Sequence, residues 1–559
     1  VKNKRGGWKA APKLERMFLR ASIALCGLLS LSLLCGCTKI STQTVQPNSS
    51  WTIPGVLRVG FYEDIDNLNP VLSLQSFVIP VQNLIFNGLV RYNARYQLEP
   101  DAAATIPSLQ NGGVSKDGRT ITYHLRRNIK FSDGVALTSA DVKFSWQQAM
   151  NPLNNTPNRV PSDKVASIDT PDDYTVVVHL KKPYAPFLGT FLQIASSPNG
   201  AILPKHLLEQ YRDFNRIPFN SHPIGSGPFI LRTWEPGNQL ILDPNLHYWE
   251  GTPKLKEIQI RFIPNQNTLL TALRTHEIDF YYDVPEPQYG QITGIAGVRV
   301  SKQPSFSIEH VKFNCRSPIL HDVNVRRALA YGIDWQRLAS DVYLNLGTPG
   351  MADVSPRSWA YNPNVQPYPY NPGRARELLR KSGWVESIDS SFQKGGSPLK
   401  VMMMTVVGVS ARLKAEQLMQ QQLKLIGVDL EIHNYPANLV FASNGMLMTG
   451  RYDLALVTMD LDPDPDNSIN FSPDQLPPAG QNRSFFVDQQ VGAWEKAGEQ
   501  TYDLSVRKKY YWLIQQRIHD EVPIHGIVWR PTIEAVNAQL KNFKPGAASD
   551  FWNAYEWSI

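Results

Sequence analysis

Asp117-Gly118-Arg119-Thr120-Ile121-Thr122-Tyr123-His124-Leu125-Arg126-Arg127-Asn128-Ile129-Lys130-Phe131-Ser132-Asp133-Gly134 runs on into Leu137-Thr138-Ser139-Ala140-Asp141-Val142-Lys143-Phe144-Ser145-Trp146. Asp117-Gly118 reads as a turn, and the alternation of Ile121, Tyr123 and Leu125 with Thr122 and His124 predicts a half-buried strand. A second turn falls at Ser132-Asp133-Gly134. Thr138 or Ser139 can then cap a helix whose first turn holds Asp141, where the helix dipole favours an anion. Strand, turn and capped helix make one rigid unit, and its residues read as scaffold rather than as a site.

Toward the N-terminus, Val56-Leu57-Arg58-Val59-Gly60 predicts a first strand, with Asn69-Pro70 as the turn that follows. Toward the C-terminus, Thr170-Pro171-Asp172-Asp173 turns the chain into Tyr174-Thr175-Val176-Val177-Val178-His179-Leu180, a β-branched run that predicts a strand closing at Lys182-Pro183-Tyr184. The pattern restarts past Phe306. Val311-Lys312-Phe313-Asn314 reads as a short strand, and Asp322 stands where it can cap a helix through Val325, Arg326, Ala328, Leu329 and Ile333. Ser410 can cap a further helix, with Ala415, Leu418, Met419 and Ile426 at helical spacing and Gly427 as its stop. Val428 to Ile432 alternates as a strand, and Arg451 to Val457 forms another. The last helix holds Tyr510, Leu513, Ile514 and Ile518 and ends before Pro523.

The unit from Asp117 to Trp146 is followed in order by Ile224-Gly225-Ser226-Gly227-Pro228-Phe229, by Asn245-Leu246-His247-Tyr248-Trp249 and by the segment from Phe313-Asn314 to Arg326-Arg327-Ala328. Together they resemble extracytoplasmic solute-binding proteins of the peptide/nickel class, the capture subunits of ABC importers. The resemblance covers essentially the whole chain after its leader. It implies an α/β, two-lobed periplasmic-binding-protein fold of type II, with an inserted extra domain and hinge-linked discontinuous lobes. Lobe I is expected over 51–90, 200–305 and 515–559, the inserted domain over 91–199 and lobe II over 306–514, with chain crossings near 305 and 515 as the hinge.

The first residues carry Lys2, Lys4, Arg5, Lys9, Lys13, Arg16 and Arg20, then an apolar run from Ala21 to Leu34. A basic region before a short apolar one reads as a secretory signal, and 14 residues fall short of the roughly 20 that span a bilayer. The ending Leu34-Cys35-Gly36-Cys37 resembles a bacterial lipobox. That implies a signal peptide over 1–36, cleavage before Cys37, acylation of its thiol, and a polar tether over 37–50. The whole chain is at +7, which invites a nucleic-acid reading. The leader carries +6 of that charge (its seven basic residues against Glu15), so the mature chain is near +1 and the nucleic-acid reading falls away. Cys26 and Cys35 leave with the leader and Cys37 is lipidated, so Cys315 alone remains free, with no disulfide framework and no thiolate metal site in one mature chain. About 520 residues exceed what one core holds, so two or three lobes are expected.

Enzyme motifs are missing. Gly225-Ser226-Gly227 lacks the spacing of a hydrolase nucleophile elbow, no two histidines fall three or four apart, and no Gly-Lys dipeptide offers a phosphate-binding loop. Asp460-Leu461-Asp462-Pro463-Asp464-Pro465-Asp466-Asn467 has alternating carboxylates. As a calcium loop it fails, because Asn467 stands where the turn glycine belongs and Pro473 where the bidentate glutamate belongs. In peptide-binding relatives, the resemblance implies, this loop supplies an Asp that pairs with the ligand's α-ammonium. The spacing to Pro463 and Pro465 differs by a residue, leaving Asp460 or Asp462 for the role. Dipeptide-binding members place an Arg before the helix that starts near Ser410, and Met403 to Gly408 offers none. That favours longer peptides held through strand-like backbone pairing. Tyr62, Trp234, Trp359 and Trp384 fall in expected loops and are aromatic material for the cleft, most of it read as interface or core rather than as ligand platforms.

The expectation is a lipid-anchored, monomeric receptor for peptides or another small solute, with no cofactor and no metal. It would serve an ABC permease whose ATPase is a separate subunit. A nickel-chelate or sugar receptor on the same fold is the alternative, and a secreted lipoprotein hydrolase acting on peptides or cell-wall fragments is the rival from another class.

Overall fold

Two long strands, Val298–Phe313 and Ile524–Asn537, join the two halves of the molecule. The structure is a computed structural model describing residues 51–559, apart from 74, 158, 195–199, 352, 442–443, 479, 547–549 and the side chains of 437 and 438. The expected signal peptide, tether and Cys37 lie outside the described residues. Among those described, no helix is long and apolar enough to cross a membrane.

The long strands run antiparallel at the middle of an 11-stranded sheet. On one side lie Leu454–Asp460, Lys400–Met404 and Asp429–Ile432; on the other lie Phe280–Tyr281, Val56–Phe61, Glu257–Phe262, Gln239–Pro244 and Phe229–Glu235. Thr348–Pro349 pairs alongside the second long strand. Each half buries its own core. Leu57, Val59, Phe61, Ile258, Phe280, Phe551 and Trp557 belong to the first, and Val311, Phe313, Leu329, Met419, Leu454 and Ile527 to the second. A third core belongs to the segment that interrupts the first in sequence, around Ile121, Tyr123, Val142, Val176 and Val178.

The long strands change register where they cross between cores. Pro304 stands opposite Pro531, then Ile308 opposite Trp529, so Ser305, Phe306 and Ser307 face Arg530 alone. Proline has no amide to give a ladder, so a Pro-Pro pair has no N–H with which to hold this point of the sheet together. A side chain takes over: Ser305 Oγ donates to the Arg530 carbonyl at 2.6 Å.

The unit read from Asp117 to Trp146 forms as expected. Thr120–His124 is a strand whose Ile121 and Tyr123 are fully buried, paired with Thr175–Leu180. Thr138 precedes the helix Ser139–Met150, and Asp141 accepts from the Thr138 amide at 2.8 Å and its hydroxyl at 3.0 Å. Asp141 also accepts from the Lys205 amide at 2.9 Å, so the cap clamps the next loop as well. The glycines of Ile224–Phe229 serve close approach: a Cβ on Gly225 would stand 2.0 Å from the Ile85 carbonyl oxygen, and one on Gly227 would stand 2.5 Å from the Ile85 carbonyl carbon.

The Asn245–Trp249 landmark helps build a joint. Arg91 forks onto Glu250 at 2.6 and 2.7 Å. Its guanidinium faces the rings of Trp249, Trp552 and Tyr555 at 5.7–5.9 Å, so one cation gathers three distant parts of the chain.

Three local readings shift. Ser410 is the first residue of its helix (Ser410–Leu425), entered from Val409 without a side-chain cap. The strand expected at 311–314 is the end of one of 16 residues, Val298–Phe313. The boundary expected at 515 falls inside the helix Leu504–Glu521, whose Ile514 and Ile518 pack with Ile308 and Trp529.

Candidate functional site

A cleft of ≈ 480 Å³ opens beside the strand crossing. The crossing strands contribute Ser305, Phe306, Ser307, Arg530, Pro531 and Thr532. The first core side contributes Ser76, Ile79, Pro80, Tyr282, Asp283 and Asp550, and the other side Thr458, Asp460 and Leu461. The interrupted ladder at Pro304 and Pro531 is therefore also the cleft floor. Tyr96, from the segment expected as an insertion, reaches this edge: its hydroxyl donates to the Pro304 carbonyl at 2.8 Å and its ring meets Phe306 edge-on at 4.7 Å.

Three carboxylates and one guanidinium line the cleft. Asp460 ends the strand Leu454–Asp460, exposed, and accepts from Ser307 Oγ at 2.5 Å. Asp283 sits at φ 53°, a left-handed conformation that aspartate tolerates better than most residues, and accepts from the Tyr62 hydroxyl at 2.6 Å. Burial raises the Asp283 carboxyl above its ordinary range against the pull of Tyr62 and Arg530. Burial also pushes Asp550 up to about 7, with Asp283 adding to the rise. Its neighbour Glu534, wholly buried, is raised well above the carboxylate range by burial and by the Asp550 charge. Arg530, the only cation lining the cleft among the described residues, already donates to Glu286 at 2.6 Å. The net character is acidic, which suits a cationic group on whatever enters.

The acidic loop divides in two. Asp460 faces the cleft, whereas Asp462 lines a separate small pocket of ≈ 10 Å³ with Asp353, Asp464 and Asp466. Crowding by protein, then by Asp464 and Asp466, pushes the Asp462 carboxyl up to about 7. Asp464 is a structural ion pair, gripped by Arg507 at 2.9 and 2.7 Å, and Asp466 accepts from the Tyr184 hydroxyl at 3.1 Å. Among the described residues no group of three or more His, Cys, Asp or Glu could hold a metal ion.

Of the aromatic candidates, Tyr62 supports Asp283, Trp359 packs 5.3 Å from the Arg507 guanidinium, and Trp234 and Trp384 pack on the two main cores. None is among the described lining of the cleft. Sequence reasoning missed Asp283, Arg530 and Asp550, which no motif marks. It also missed Arg412 in the first turn of the helix Ser410–Leu425, whose guanidinium is spent on Glu309 at 2.6 Å and on Thr458 at 2.5 Å.

Known proteins are similar to this chain in sequence and in fold. Residues 97–475 match the profile of the bacterial extracellular solute-binding proteins, family 5 Middle. The glutathione-binding protein GsiB of Salmonella choleraesuis is 28% identical over 461 residues, 81% of this chain and 86% of that protein. The oligopeptide-binding protein AppA of Bacillus subtilis is 25% identical over 511 residues, 90% of this chain and 91% of that protein. Among solved structures, NikZ from Campylobacter jejuni in complex with Ni(L-His) superposes with a TM-score of 0.76 at 26% identity, covering 91% of this chain and 100% of that one. The fold is the type II periplasmic-binding-protein fold, and the chain belongs to the bacterial extracellular solute-binding proteins of family 5.

Proposed function

We propose that this protein is the receptor subunit of an ABC importer and that its cleft captures peptides for a separate permease and ATPase. The observation that carries the reading is the acidic cleft itself. At ≈ 480 Å³ it falls within the roughly 300–1,000 Å³ of small-molecule sites, and it offers the exposed carboxylate of Asp460 to an α-ammonium. Asp462, in its own small pocket, is then part of the loop's structure and not a ligand contact. Relatives that bind glutathione and oligopeptides support the ligand class.

The lobes meet at the Pro304–Pro531 crossing, with residues 91–199 as the inserted domain. Ligand touches both walls only when they approach, so binding shifts the population toward closure. The receptor makes and breaks no bond, works as a monomer without cofactor or metal, and is held at the extracytoplasmic face by lipidated Cys37. Native mass spectrometry of protein purified from its host tests the ligand. Intact co-purified peptides are the expected result; a metal chelate or a sugar in their place, or cleavage of an added peptide pool over time, would sink the peptide-receptor reading.

A further inference from the structure

The Asp117-Gly118 turn is also a seat for a side chain from the other half of the molecule. Gly118 lies at φ 68°, and a Cβ there would stand 2.9 Å from the Tyr502 ring and 3.2 Å from Pro183. Tyr502 stands in the turn between the helices Gln489–Glu499 and Leu504–Glu521. It is held there by Asp503, which caps the second helix by accepting from the Ser505 amide at 2.8 Å and the Val506 amide at 3.2 Å. The Tyr502 hydroxyl donates between the Gly118 carbonyl at 3.3 Å and the Tyr184 carbonyl at 3.2 Å, and its ring packs on the third core. Two more bonds cross beside it: the Ala185 amide donates to the Glu499 carbonyl at 2.6 Å, and the Tyr184 hydroxyl to Asp466 at 3.1 Å.

This contact is built to open. Among the described residues, Tyr502 is the only one beyond 305 that packs on the third core, and no ion pair joins 91–199 to 306–523. What remains is a few hydrogen bonds, which water replaces at small net cost. An interface so small and polar leaves relative motion of its two sides as the default. It is also braced against the cleft wall. The loop that starts at Asp460 holds Asp464 on Arg507, in the helix that follows Tyr502, and Asp466 on Tyr184. Yet none of Gly118, Tyr184, Asp466, Glu499 and Tyr502 is among the described lining of the cleft.

We propose that Tyr502 is a clasp, which seats between Gly118, Pro183 and Tyr184 when the two walls close and so sets how firmly a ligand is held without touching it. The inference rests on the receptor reading for the motion, with 91–199 moving as part of the first wall. Apparent affinity scales with the fraction of protein in the binding-competent form. A clasp therefore changes the affinity of every ligand by one factor, whereas a cleft residue such as Asp460 discriminates between ligands. Tyr502 is a positioning residue in this sense.

The test uses the full chain with three substitutions. Tyr502→Phe keeps the ring and loses both hydroxyl contacts, Tyr502→Ala empties the seat, and Tyr184→Phe removes the bond to Asp466 from the opposite wall. Solution scattering without ligand should give Tyr502→Ala a larger radius of gyration than the native protein, at unchanged circular dichroism. With pentaalanine as probe, free and N-acetylated, Tyr502→Ala should weaken both peptides by the same factor, about fivefold, through faster dissociation. Tyr502→Phe and Tyr184→Phe should lose less, in the same direction. A radius equal to the native one, with only a lower melting temperature, would make the contact a permanent joint and overturn the inference; so would a loss confined to one of the two peptides. If neither peptide binds the native protein, the peptide reading fails, and the ligand-free radii alone decide the clasp: larger in Tyr502→Ala, it stands; equal, it falls. Should Tyr502→Ala not fold, the same comparisons on Tyr502→Phe decide.

Discussion

Asp460 and Glu495 show how differently two carboxyls behave in one region. Asp460 is exposed at the cleft wall, where its carboxylate accepts from Ser307 Oγ, and under the receptor reading it attracts an ammonium. Asp460→Asn should weaken binding of a free-amine peptide by about tenfold, near 1.4 kcal/mol. Native protein should lose about as much when the peptide is N-acetylated, and the variant little more, because one interaction is not removed twice. Equal affinities for free and blocked peptides on the native protein would take the role away from Asp460. Glu495 is 2% exposed and sits beside the Asp466 carboxylate and the Ser472 hydroxyl. Burial, then the charge of Asp466, pushes its carboxyl up to about 9 from an ordinary 4.5. The fold therefore keeps a proton that the unfolded chain releases across that window. Stability from this group is full below about 4.5 and falls as pH rises toward 9. Glu495→Gln, which mimics the protonated form, should unfold at a higher temperature than the native protein at pH 8, with the gap closing toward pH 5. A gap independent of pH would mean that Glu495 is ionised in the fold.

At the level of elements, the most legible part of the chain was its most local. Ile121, Tyr123 and Asp141 could be placed, and the cap narrowed to Thr138 or Ser139, because strand alternation and a helix start are written within a few residues; the structure makes Thr138 the cap, in a box with Asp141. Asp141→Ala removes an acceptor from the Thr138 amide, the Thr138 hydroxyl and the Lys205 amide together. Denaturant unfolding should show a loss of about 1.5–3 kcal/mol, the range for bonds to a charged group, with m unchanged; a shift below 0.5 kcal/mol would mean that the cap is redundant. The two long strands were not legible as such. Pro304 and Pro531 look like interruptions in a single sequence, and each is tolerated because the other stands opposite it. The cleft was half legible for the same reason. Asp460 belongs to a recognisable loop, but Asp283, Arg530 and Asp550 come from segments that only the folded chain brings together.

At the level of the whole molecule, closure of the lobes about the Pro304–Pro531 crossing should make solution scattering report a smaller radius of gyration with ligand bound. An unchanged radius at saturation would place the ligand outside the cleft or show that no closure occurs. Under the proposed lipid anchor, Cys37→Ser should release the protein from membranes, because each acyl CH₂ buried in the bilayer is worth about 0.8 kcal/mol. Sedimentation with membranes after a salt wash would refute the lipid anchor.

The Arg91 joint and the central sheet also set when the molecule can be finished during its synthesis. Arg91 waits for Trp552 and Tyr555, and the strand Val56–Phe61 is separated from Val298–Phe313 by Phe280–Tyr281 and Ile524–Asn537, so the sheet closes only when segments far apart in sequence are all present. Contacts this distant in sequence form slowly and late. A chain synthesised only as far as the helix Leu504–Glu521 has two unfinished half-sheets and an uncaged arginine, and the strand edges it leaves open are the surface a chaperone would cover.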